Sequence, residues 1–171
     1  MDECLARIGA YAPELAGLVA ARGRAQPGAA AALAAVAAQT TPTAVQSVLT
    51  GNVRAMAEMK LRALGLTDHL DLDVGAYGDT ADCRADLVRL ARSKAAVAYR
   101  HDFAGSETVL AGDTPLDVAA ALSAGARSLG VATGASTAAE LAAAGADAVL
   151  PDLADPSAVV AAILGRAPPS T

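Results

Sequence analysis

Aromatic side chains are nearly missing from this sequence: it has no tryptophan, one phenylalanine and three tyrosines, 2% of the chain. Its core must therefore be made from Ala, Val and Leu, which suit close helix–sheet packing better than a bulky aromatic cluster. Cysteine is scarce too. Cys4 and Cys83 lie far apart without metal-ligand spacing, which reads as free thiols in a reducing compartment. Basic charge is outweighed, with 13 Lys and Arg against 18 Asp and Glu and a net charge of -5. No basic cluster exists, which excludes nucleic acid as a partner. Small phosphorylated ligands stay open, because a local metal ion can reverse the field inside a site. A Gly-rich dinucleotide loop and a Walker lysine are absent. No apolar run reaches the ~20 residues of a membrane span. The uncharged stretch from Ala25 to Val53 is interrupted by Pro27, Gly28, Gln39 and Pro42. The opening Met1-Asp2-Glu3 lacks the basic start of a signal peptide. A cytoplasmic protein with no membrane partner is expected.

What is present is a hydrophobic fraction of 54% with 18% charged residues over 171 positions, enough for one domain plus a small appendage. Leu5, Ile8, Tyr11, Leu15, Leu18 and Val19 recur at helical spacing, so residues 1–26 read as helices of an appendage. From Pro27 short apolar strands alternate with helices. Expected strands are Ala44–Leu49, Leu70–Val74, Thr108–Ala111, Ser128–Val131 and Ala148–Leu150. Expected helices are Gly28–Ala38, Val53–Leu64 (capped by Asn52), Asp86–Ala98, Pro115–Ala124, Thr137–Ala143 and Pro156–Leu164. That alternation predicts an α/β fold, a parallel sheet with helices on both faces. The tail, residues 167–171, is expected to fray.

Ligands of open parallel sheets bind beyond the carboxyl ends of the strands. After the first strand come Thr50, Gly51 and Asn52: a hydroxyl, a residue permitting close backbone approach, and a helix start whose free N–H groups favour an anion. An ordinary capped turn has the same spacing. After Thr108–Ala111 come Gly112, Asp113 and, four positions on, Asp117. Paired carboxylates at a strand end can hold Mg²⁺. Thr114-Pro115-Leu116-Asp117 also has the form of a helix cap, which accounts for Thr114 and Asp117 but not for Asp113. Arg84, opening a helix, can donate to a phosphate, although a surface arginine is the commoner fate. Lys94 is a weaker candidate, His69 and His101 read as solvated, and Asp79 and Asp82 as loop residues.

Val48-Leu49-Thr50-Gly51-Asn52, Asp71 to Gly78, Val109 to Asp117, Gly130 to Gly134 and Ala144 to Leu150 occur in an order and spacing that covers roughly residues 27–165. Together they resemble the haloacid dehalogenase superfamily, in its phosphoglycolate-phosphatase-like branch with a helical cap. The resemblance implies a Rossmann-like fold, Mg²⁺ as cofactor and hydrolysis of phosphate monoesters of a small metabolite. It implies that Thr50, with Gly51 and Asn52, binds phosphate and that Arg84 steadies charge at the reacting group. Asp113 then ligates the metal, with Asp117 as a supporting or second acidic residue. Residues 1–26 become the end of a cap and 27–166 the core.

The same resemblance implies an Asp-x-Asp motif on a first core strand, whose first aspartate attacks phosphorus. No such motif precedes Thr50, and Asp71-Leu72-Asp73 follows it, in the wrong order. The absent strand belongs at the sheet centre, between those carrying Thr50 and Asp113. Its loss predicts that these two strands pair directly, that another element supplies the strand, or that the sequence is a piece of a longer protein; the last is favoured. A chain inactive alone is expected, or else a non-catalytic phosphate- or metal-binding domain, with homo-oligomerisation through the incomplete sheet open to either.

Overall fold

Five short strands and six helices follow one another along the computed structural model, which describes residues 16–41, 43–80 and 83–166. Residues 16–22 are helical. Next come α1 (Ala29–Ala37), β1 (Leu49–Thr50), α2 (Arg54–Ala63), β2 (Ala76–Tyr77) and α3 (Arg84–Tyr99). A 3-10 turn (Gly105–Glu107) leads to β3 (Val109–Gly112), α4 (Pro115–Ser123), β4 (Arg127–Val131), α5 (Ala138–Ala143), β5 (Ala148–Leu150) and α6 (Pro156–Leu164). The remainder of the expected appendage, Cys4, Asp82 and the tail lie outside the described residues.

All ladders are parallel, yet they form two sheets. β1 pairs with β2, and β3, β4 and β5 pair in that order. β1 and β3 share no ladder, so the strands expected to flank a missing one have not closed up on each other. They nonetheless approach: Leu49 of β1 and Leu110 of β3 pack on one cluster, formed by Val88 of α3, Ala120 and Ala121 of α4, and Ala124 and Ala126 just after it. Helices α3 and α4 therefore roof both sheets. A second cluster joins Ala32 and Val36 of α1 to Val159 of α6, with Ala44, Leu150 and Leu153 against it. β4, paired on both edges, is buried from Ser128 to Val131, whereas β1 and β3 are only half-buried and Ala111 is exposed. The partial exposure of β1 and β3 lessens the penalty that unpaired backbone incurs when fully buried.

Local chemistry sets the boundaries. Gly28 stands before α1 at φ 83°, and a Cβ there would also overlap the Leu153 carbonyl, so glycine is required on two counts. α6 starts on Asp155, which accepts N–H bonds from Ser157 (2.9 Å) and Ala158 (3.2 Å), and continues through Pro156. At its other end the Arg127 guanidinium donates to the carbonyls of Ala162 and Ile163, both at 2.8 Å, satisfying helix-terminal acceptors where a cation is favoured. The core is built from Ala, Val and Leu, and Tyr77 is its one fully buried aromatic among the described residues.

Two sequence expectations are corrected. Residues 44–48 approach β2 but carry no ladder of their own, and the strand is Leu49–Thr50 alone. Leu70–Val74 is a loop, with β2 shifted downstream to Ala76–Tyr77. The cause is polar: Asp71 Oδ1 accepts from its own neighbour Asp73 N (3.0 Å), and Asp71 Oδ2 accepts from the Tyr99 hydroxyl (2.7 Å). Arg54 draws Asp73 outward at 2.5 Å. Such side-chain bonds bend the backbone away from an extended ladder.

Candidate functional site

The turn from β3 into α4 is fixed by its own residues. Thr114 is the N-cap of α4, Pro115 takes the first helical position and Asp117 completes a capping box. Asp117 Oδ2 accepts from Thr114 N (3.2 Å) and from the Thr114 hydroxyl (2.7 Å), while Thr114 Oγ1 accepts from Asp117 N (3.3 Å). The other oxygen, Asp117 Oδ1, accepts from Arg84 Nη1. Both carboxylate oxygens are thereby engaged, and the side chain is 10% exposed against 44% for Arg84. A Cβ on Gly112 would overlap the Asp117 side chain, so the strand must end in glycine for the carboxylate to fold back over it.

Asp113 is placed differently. Its carboxylate lies against the backbone of Gly134, where a Cβ would overlap it, and it forms no hydrogen bond with any other described residue. One of the two expected acidic residues is thus internally satisfied and its neighbour is not. In the sequence alone a helix cap accounted for Asp117 but not for Asp113. Gly134 lay inside a matching stretch, but only the fold reveals its contact with Asp113.

The turn after β1 has another economy. The N-cap of α2 is Val53, which offers no side-chain hydrogen bond. Asn52 does not cap the helix as the sequence predicts. Instead its backbone N (3.1 Å) and side-chain Nδ2 (3.0 Å) both donate to Thr50 Oγ1, and its Oδ1 accepts from Lys60 Nζ at 3.3 Å. The turn is held against the end of β2: Gly78 N donates to Asn52 O at 2.9 Å, and a Cβ on Gly78 would overlap the Gly51 carbonyl. Lys60 went unnoticed in the sequence, although its spacing of eight from Asn52, about two helical turns, was the available signal.

Arg84 is the first residue of α3, which packs on β1, β2 and α4 and carries the guanidinium to the β3–α4 turn. Lys94 is committed elsewhere, donating to Gly75 O at 2.8 Å. His101 lies edge-on to Phe103 and 3.6 Å from Glu107, a local surface contact. Cys83 is an exposed free thiol whose Sγ donates to Asp86 Oδ2, a bond that with Arg89 holds that carboxyl below its usual range. The loop of Asp71-Leu72-Asp73, in the wrong order for a nucleophile motif, is held by polar bonds. Donating to the carboxylates of Asp73 and Glu58 pushes the Arg54 guanidinium further into its charged form, and the Tyr99 phenol, donating to Asp71, holds that carboxyl below the ordinary range.

Among the described residues no three His, Cys, Asp or Glu side chains come together as a metal cage. A magnesium ion shared with a bound phosphate needs less, since it keeps several waters and takes one or two protein carboxylates. The unengaged Asp113 carboxylate is an oxygen donor of that kind. One cleft of about 340 Å³ is lined by Leu18, Val19, Arg22, Gly23, Met56, Met59 and Lys60, and another of about 440 Å³ lies between α1 and α6, with Gln39 and Arg166 at its edge. Neither is lined by Thr50, Arg84 or Asp113. No described helix is long and apolar enough to cross a membrane.

Comparison with known proteins agrees with the fold. A family profile for haloacid dehalogenase-like hydrolases matches residues 4–122, more than half of the chain, and a HAD-hydrolase-like profile matches residues 90–156. Among solved structures the chain is similar to a candidate beta-phosphoglucomutase from Thermotoga maritima, at 23% identity and TM-score 0.62, over 83% of this chain and 61% of that one. It is similar to a haloacid dehalogenase-like protein of unknown function from Agrobacterium tumefaciens (23% identity, TM-score 0.58, 82% and 62% covered). A HAD family hydrolase from Deinococcus radiodurans, solved with bound phosphate and sodium, shares 29% identity at TM-score 0.57, with 82% and 61% covered. The chain thus spans about three fifths of the length of these structures. No curated protein matches it. With the parallel sheets, the order of the turns and the family profile in agreement, the chain belongs to the haloacid dehalogenase-like hydrolase family.

Proposed function

We propose that the carboxyl ends of β1 and β3 form the phosphate- and magnesium-binding part of a phosphomonoester hydrolase centre, which acts on a small phosphorylated metabolite in the complete protein. The observation that carries this reading is the contrast between two neighbouring carboxylates. Asp117 has both oxygens engaged, while Asp113 beside it has none in a hydrogen bond with the described residues. Asp113 would hold Mg²⁺, and the ion would neutralise charge on the phosphate oxygens. Thr50 with the backbone of Gly51 and Asn52 binds the phosphate. Arg84, oriented by Asp117, offsets charge at the same strand ends. Residues 1–26 contribute the end of a cap. The nucleophile is not in this chain's motifs, so the chain binds phosphate and does not turn over.

Titration calorimetry with inorganic phosphate, with and without Mg²⁺, tests the reading. Binding that strengthens with Mg²⁺ and loses that enhancement in Asp113→Asn is expected. Adding an upstream segment that supplies an Asp-x-Asp strand should then give hydrolysis of phosphate esters. Phosphate binding indifferent to both Mg²⁺ and Asp113 would sink the assignment. A second reading, a non-catalytic phosphate-binding domain, is favoured by the way both sheets share one cluster without the central strand. Cooperative melting of this chain, with no hydrolysis after the strand is added, would select it.

A further inference from the structure

We infer that Lys60 and Asn52 are positioning residues that make the Thr50 hydroxyl an obligate hydrogen-bond donor, so that the turn after β1 offers its proton to an acceptor, an oxygen of an ionised phosphate group. The inference deepens the reading of Thr50 as the phosphate-binding hydroxyl and rests on it. A threonine hydroxyl has one donated proton and two lone pairs. In this turn Asn52 N and Asn52 Nδ2 occupy both lone pairs, at 3.1 and 3.0 Å, and the hydroxyl donates to no described residue. Its proton is the one hydrogen-bonding function left over.

Which way the Asn52 amide faces is decided by Lys60. An ammonium group only donates, so the atom 3.3 Å from Lys60 Nζ must be the amide oxygen, and the amino group is the one turned to Thr50. Were the amide reversed, its oxygen would accept the Thr50 proton and the hydroxyl would be spent. Lys60 therefore acts on the ligand through two intervening groups, polarising the amide as well as orienting it. The backbone cannot drift out of this arrangement cheaply, because Gly78 N holds Asn52 O at 2.9 Å and Gly78 itself leaves no room above Gly51. The stem of Lys60 lines the cleft beside Leu18, Val19, Met56 and Met59, so Lys60→Met keeps an apolar stem there and removes only the charge.

A double-mutant cycle on the full chain separates this role from a general electrostatic one. Phosphate affinity is measured by calorimetry for the wild type, Lys60→Met, Thr50→Val and the pair, with melting curves to confirm that each folds. Lys60→Met should weaken phosphate binding roughly two- to fivefold, the range of an exposed charge-assisted contact. In the Thr50→Val background it should change nothing further, and Lys60→Arg should restore most of the loss. An equal loss in both backgrounds, or none in either, overturns the inference. The Asn52 side-chain amide protons supply a readout that needs no ligand. In ¹⁵N–¹H spectra they should shift and exchange faster on Lys60→Met, and an unchanged signal also overturns the inference. Failure of the wild-type chain to bind phosphate would instead remove the assignment of Thr50, whatever the amide signal shows.

Discussion

The two halves of this molecule are held together by different forces. In the β3–β4–β5 half, ladders run along both edges of β4, and Ser128 to Val131 are buried beneath α4 and α5. The β1–β2 half has one ladder of two residues and compensates with polar bonds. Gln46 donates to the Leu33 carbonyl at 2.9 Å, Ser47 to the Asp71 carbonyl at 2.5 Å, Tyr77 to the Leu72 carbonyl at 2.7 Å and Lys94 to the Gly75 carbonyl at 2.8 Å. Their helix starts differ in the same sense: α4 has a complete capping box, whereas α2 has none. Where a strand lacks a neighbour, backbone groups turn to side chains for partners. The polar half should then respond to charge and pH, and the apolar half to cavity formation.

The largest effect should come from cutting the apolar half. Leu129 of β4 is 2% exposed, and Leu129→Ala removes a side chain whose site cannot relax between two ladders. A loss of about 3 kcal/mol is expected in urea denaturation, in the range for buried Leu→Ala. Leu49→Ala, in half-buried β1, should cost no more than about half of that. Equal losses would mean that both sheets share one uniformly packed core, and the contrast would fall.

The next test exchanges the caps. Asp117→Ala removes the capping box and the partner of Arg84 together, at a cost of about 2 kcal/mol from the lost cap and charge-assisted bonds. Val53→Ser gives α2 the cap it lacks and should raise stability by up to ~1 kcal/mol. Urea midpoints at constant slope are the measurement. If Asp117→Ala shifts the midpoint no more than a typical surface change, the capping box is not what holds the β3–α4 turn.

These differences also explain how legible the fold was in the sequence. From Thr114 onward the starts of the helices are written in neighbouring residues: Thr114 with Asp117, Thr137 with Glu140, Asp155 with Pro156. Each is a local signal, and each appears in the structure. The β1–β2 half was misread because its determinants are distant. Asp71 is bent into a loop by Tyr99, 28 positions away, which no local pattern at Leu70–Val74 can reveal. Likewise the spacing of Asp113 and Asp117 was visible, but the engagement of the second Asp117 oxygen depends on Arg84, 33 positions away. Asn52 read as a cap because capping is a common local use of asparagine, whereas its side chain donates to Thr50 and accepts from Lys60, eight positions on.

The smallest expected effect is the most specific to the polar half, and it lies in one hydrogen bond, from the Tyr99 hydroxyl to Asp71 Oδ2. That bond holds the Asp71 carboxyl below its ordinary value and, read from the other side, raises the Tyr99 phenol. A depressed folded pKa means that the unfolded chain takes up the proton first. The contribution is therefore fully present above the unfolded carboxylate value near ~4 and is lost as pH falls through the lower, folded one. For the raised phenol the sense is opposite, with the contribution complete below ~10 and lost as pH rises through the folded value. Tyr99→Phe should thus cost a constant increment between pH 5 and 9, on the order of 0.5 kcal/mol because both groups are largely solvated. The stability curves of wild type and variant should converge below about pH 4. Curves that stay parallel down to pH 2 would show that this bond adds nothing to the acid sensitivity of the β1–β2 half. Its pH response would then have to come from the Arg54–Asp73 pair or the Arg54–Glu58 pair instead.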